Sequence, residues 1–92
     1  MLRLQISKAA FKFLEGIERK HAGQIALKLL ALSQNPSPQD AQQVHGLAIP
    51  HLRATVGEYR VIYRVEGDVL DVVLIGKRDG DEVYKEMRRK GL

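Results

Sequence analysis

HLRATVGEYRVIYRVEGDVLDVVLIGKRDGDEVY, residues 51–84, is the stretch on which the fold turns. Leu52, Ala54 and Val56 alternate with His51, Arg53 and Thr55. Tyr59, Val61, Tyr63 and Val65 alternate with Arg60, Ile62 and Arg64. A period of two belongs to a strand with two unlike faces. Gly67-Asp68 supplies a hairpin turn, and Val69 to Ile75 is apolar enough for a buried central strand. The segment therefore predicts three strands in succession, with short connections that favour antiparallel neighbours.

Working outward, Leu2, Leu4 and Ile6 alternate with Arg3 and Gln5 and read as a short strand. Ser7 can cap the helix that follows. In that helix Ala10, Phe11, Leu14 and Ile17 form the apolar face, with Lys8, Lys12, Glu15 and Glu18 outside and Gly16 weakening its end. A second helix begins after Arg19-Lys20. Its apolar stripe is Ala22, Ile25, Ala26, Leu29, Leu30 and Leu32, and Asn35-Pro36 stops it. The two helices are expected to form a hairpin. Residues 35–50, rich in proline and polar residues, read as a loop. Asp79 or Asp81 can cap a last helix running to about Arg89. The expected order is β-α-α-β-β-β-α. It describes an α+β fold in one domain, residues 1–92, with an antiparallel-rich sheet, a helical hairpin on one face and a short C-terminal helix.

Composition narrows the function. The 92 residues suit one small domain, whose modest core makes a stabilising partner plausible. Cysteine is absent, which removes disulfides, thiol nucleophiles and cysteine-based zinc sites and fits a reducing cytoplasm. Charges interrupt every apolar run of the N-terminus, so no signal peptide is expected, and no run reaches the roughly 18 residues of a membrane span. The formal net charge is +4 and the sequence pI about 9.6. Residues 1–44 hold six Lys/Arg against three acids, and residues 45–92 hold nine against eight. A basic site must therefore arise from geometry, not from bulk charge.

Strand parity provides that geometry. If Leu52, Ala54, Tyr59, Val61 and Tyr63 face the helices, then His51, Arg53, Arg60 and Arg64 face the other way. Lys77 and Arg78 leave the central strand near its end, where either can turn to the same face. Several basic groups and one tyrosine, Tyr84, make a set suited to a phosphate backbone. Phosphate-cradling glycine loops and a convincing Ser/His/Asp set are absent from the sequence. His21, His45 and His51 lack metal-ligand spacing. The Asp79, Asp81 and Glu82 cluster fits a helix N-terminus better than a cation site. No cofactor and no metal are expected.

The run Tyr59-Arg60-Val61-Ile62-Tyr63, followed by Gly76-Lys77-Arg78 and then Val83-Tyr84, resembles the C-terminal half of RelE/ParE-type toxins of bacterial toxin–antitoxin systems. The resemblance extends over nearly the whole chain in element order and is specific from about Arg53 onward. Tyr84 places it nearer the RelE branch, which cleaves mRNA, than the ParE branch, which poisons gyrase. The resemblance implies a ribosome-dependent mRNA endoribonuclease that works without a metal. Arg60 and Arg78 would meet the phosphate and Arg53 would support them. Lys77 would hold nucleic-acid backbone, and His51 or Tyr84 would transfer protons, Tyr84 also stacking on a base. It implies as partners a cognate antitoxin and the ribosome with its mRNA, and a toxin–antitoxin hetero-oligomer that binds operator DNA through the antitoxin. RelE-type enzymes usually carry lysine where this chain has His51 and again where it has Arg53. Arginine is a poor proton shuttle, whereas histidine is suited to that work. The departure leaves open which group is the base. It also leaves open a gyrase inhibitor without nuclease activity, or an inactive binding relic.

Overall fold

The computed structural model describes residues 1–39, 41–44 and 49–79, together with Lys85 and Arg89. Strand β1 is Arg3–Ile6, helix α1 Lys8–Glu15 and helix α2 Arg19–Gln34; strands β2 Gln42–Val44, β3 His51–Val56, β4 Tyr59–Glu66 and β5 Val69–Lys77 follow. The five strands form one sheet in the order β1-β5-β4-β3-β2. Among the described strands only the β1–β5 pair is parallel, and the two helices carry the chain from β1 at one edge to β2 at the other. The expected last helix lies largely outside the described residues, although Lys85 and Arg89 are helical.

Local chemistry accounts for the ends of the elements. Ser7 Oγ accepts from the Ala10 N–H at 3.1 Å and donates to the Val73 carbonyl at 2.5 Å, so one hydroxyl caps α1 and ties it to the sheet. Asn35 ends α2, its N–H still bonded to the Ala31 carbonyl. The β3–β4 and β4–β5 hairpins turn on Gly57 and Gly67, at φ +58° and +60°. A positive φ at the first of two turn residues suits the twist of the flanking strands and is cheap only for glycine.

The main core joins Ala10 of α1 and Ile25, Leu29 and Leu32 of α2 to Ala54, Val61, Tyr63, Leu70, Val72 and Ile75 of the sheet. Strand parity is as expected for β3 and β4. The helix faces differ in detail: Phe11 and Leu30 are more than half exposed, while Phe13 packs against the core. Tyr63 is fully buried, and its hydroxyl donates to the Pro36 carbonyl at 2.6 Å, anchoring the chain beyond α2.

Two features depart from the sequence reading. Gln42–Val44 is a strand, not loop, held by the pairs Gln42–Arg53, Gln43–Leu52 and Val44–His51. Three residues are too few to show a period, so only the partner strand reveals it. The second feature is a bulge. Ile62 pairs with Leu74 but Tyr63 pairs with Val72, so Val73 is skipped. The skip re-phases β5, sending Leu70, Val72 and Ile75 to the helices and Gly76 to the other face, opposite Arg60.

Candidate nucleic-acid interface

The face turned away from the helices carries Gln42, Arg53, Ile62 and Leu74 in one cross-strand row and Thr55, Arg60 and Gly76 in the next. Arg53 and Arg60 are thus diagonal neighbours, with backbones about 7–8 Å apart at such a step. Both are half-buried, and the Nε of Arg60 lies out of solvent. Gly76 presents no side chain beside Arg60. One residue past β5, the Arg78 N–H donates to the Glu58 carbonyl at 2.9 Å and continues the ladder. Lys77, the last residue of β5, pairs with Tyr59, and Arg78 follows it in the turn. Lys77 and Arg78 are both exposed, and with Glu58 and Asp79 they line a small depression of about 190 Å³.

This face is less open than strand parity alone implies. Ile62 and Leu74 are buried on it, with Val44 beside them in a second small apolar cluster. The larger correction concerns His51, expected on an open surface. It is only 2% exposed. Val44 pairs with it across β2–β3, and its Nδ1 lies 2.7 Å from the Ile49 carbonyl. A carbonyl only accepts, so Nδ1 carries a proton there. The other ring nitrogen, Nε2, is buried and finds no hydrogen-bond partner among the described residues. The imidazole holds the start of β3 and borders a cavity of about 490 Å³ lined also by Ile49, Leu52 and Arg64.

The remaining expectations sort by residue. Arg53 donates through Nε to Gln42 Oε1 at 3.0 Å, and one of its Nη atoms bonds the same oxygen. Arg64, read as surface charge, bonds Glu66 at 2.8 Å and Asp71 at 3.4 Å. His21 is structural: its Nδ1 lies 2.9 Å from the Tyr59 hydroxyl, which stands in a ring cluster with Phe13. Tyr84, Asp81, Glu82 and His45 lie outside the described residues. Among the described residues no group of three or more His, Asp or Glu side chains could hold a metal ion. No helix among them is long and apolar enough to cross a membrane. The sequence reading missed Gln42 as the partner of Arg53, since nothing in Gln-Gln-Val marks it.

Two helices over one face of a five-stranded mixed sheet, with arginines on the face turned away from them, match the small α+β toxins of the RelE/ParE superfamily. The sequence matches the family model described as the ParE toxin of the type II toxin–antitoxin system over residues 4–82, and the chain belongs to that family. No curated protein matches it. Among solved structures it is similar to the RelE–RelB complex of the archaeon Pyrococcus horikoshii, with 26% identity over 84% of this chain and 94% of that one and a TM-score of 0.73. A mutant of E. coli RelE in the free state has 22% identity, covers 99% and 98% of the two chains and has a TM-score of 0.76. The YoeB dimer of Staphylococcus aureus has 16% identity, coverage of 79% and 92% and a TM-score of 0.66. At their identities the last two speak to the fold.

Proposed function

We propose that this toxin is a ribosome-dependent mRNA endoribonuclease. The observation that supports the reading is the diagonal placement of Arg53 and Arg60 on one sheet face, with Gly76 beside Arg60 and the Arg78 N–H bonded to the Glu58 carbonyl at that end of the sheet. The ribose 2′-oxygen attacks the adjacent phosphorus as the bond to the 5′ oxygen breaks, leaving a 2′,3′-cyclic phosphate and a 5′-OH. The nucleophile is supplied by the RNA itself, so no metal is needed to generate it. A base takes the 2′-OH proton, cations balance the charge gathering on the phosphate, and an acid protonates the departing oxygen. Arg60 and Arg78 take the phosphate, since a guanidinium meets phosphate oxygens with two parallel donors. Arg53 supports them, and Lys77 holds backbone further along. Burial argues against His51 as the base. The proton-transfer role passes to Tyr84, the group that the G-K-R…V-Y ending brings into the family pattern.

The partners follow from the same reading. RelE stands in complex with RelB among the similar structures. We assign this chain a cognate antitoxin that covers the basic face, a hetero-oligomer that binds operator DNA through that antitoxin, and a cytoplasmic site of action on translating ribosomes. The name of the matching family favours a second reading, a gyrase inhibitor with no nuclease activity. Regulated expression separates the two when mRNA 5′ ends and plasmid supercoiling are followed together. Cuts within translated messages at unchanged supercoiling are expected. Relaxed or broken DNA with intact messages would establish the gyrase reading instead.

A further inference from the structure

We infer that Gln42 is a positioning residue of this site, acting through Arg53; its chemistry rests on the ribonuclease reading. Gln42 lies on β2, directly opposite Arg53 on β3. Its Oε1 accepts from Arg53 Nε at 3.0 Å and from an Nη of the same guanidinium. Two donors on one edge of the guanidinium, both held by one acceptor, fix where that edge sits beside β2. An unrestrained arginine on a sheet face samples many rotamers, and ordering it at the moment of reaction opposes the reaction. The choice of glutamine matters, because it orients without charge. A carboxylate at the same place would compete with the phosphate for the cation. β2 is only three residues long and sits at the sheet edge, so its contribution to the site is greater than its share of the core.

The test is a double-mutant cycle read by growth inhibition and by mRNA cleavage on ribosomes. Gln42→Ala should lower the cleavage rate about tenfold, mainly in kcat, because a misplaced guanidinium stabilises the reacting phosphate poorly. On an Arg53→Ala background the same substitution should cost nothing further, and the thermal midpoints of Gln42→Ala and the parent should agree. Three results would overturn the inference: an undiminished Gln42→Ala rate, a loss that persists on the Arg53→Ala background, or full potency of Arg53→Ala itself. If the unaltered protein cuts no mRNA, the ribonuclease reading fails. The cycle then still decides the role of Gln42 through growth inhibition.

Discussion

At the scale of single residues, burial weighs against one of the two proposed proton carriers. His51 is enclosed at the first position of β3, with one ring nitrogen committed to the Ile49 carbonyl. Its job is to hold backbone, and an amide can do that too. His51→Asn keeps a nitrogen donor near Nδ1 and deletes Nε2, so it should retain most cleavage activity, with a lower unfolding midpoint from the lost packing. Tyr84→Phe keeps the ring and deletes the hydroxyl. If Tyr84 moves a proton, Tyr84→Phe should be slowed about a hundredfold, as much as Tyr84→Ala. Single-turnover rates on ribosomes decide the matter. A fully active Tyr84→Phe beside an inactive, well-folded His51→Asn would return the base to histidine.

At the scale of elements, the two hairpins do different work at opposite ends of β4. Gly57 turns the chain at the arginine end, beside Glu58, whose carbonyl holds the Arg78 N–H. Gly67 turns it at the far end. Nothing lies within 4 Å of a Cβ built on either glycine, so alanine would suffer only from the positive φ. Gly57→Ala and Gly67→Ala should each cost about 1–2 kcal/mol in urea denaturation. Only Gly57→Ala should also lower toxicity when expression is matched, because only that turn sets Arg78. Equal effects of the two on toxicity would mean that stability alone is being read. The strands and the first helix cap were legible in the sequence because period two and Ser7 before an apolar helix are local signals. β2 and the bulge at Val73 were not, since both exist only as relations between strands. The parity that put His51 on the site face held, but parity says nothing of what covers a face.

At the scale of the whole molecule, a nearly balanced charge in the C-terminal half is unevenly spread over the sheet. Arg64 is matched by Glu66 and Asp71, and Arg3 pairs with Asp68 at 3.4 Å. These pairs lie toward the Gly67 end of the sheet. Arg53, Arg60 and Arg78 gather toward the Gly57 end. The fold therefore sets these two groups of arginines at different ends of the sheet, and the part of the family pattern in residues 59–63 was readable because it forms one continuous strand. The chemistry there is tested most directly by purified protein, ribosomes programmed with a defined mRNA and analysis of the cut ends. The account predicts fragments with a 2′,3′-cyclic phosphate and a 5′-OH, made only when the message is on the ribosome. Arg60→Ala, still folded by circular dichroism, should lose about a hundredfold in rate, the scale of one lost contact to a reacting phosphate. An uncut message, or an Arg60→Ala variant that cuts as fast as the parent, would contradict it.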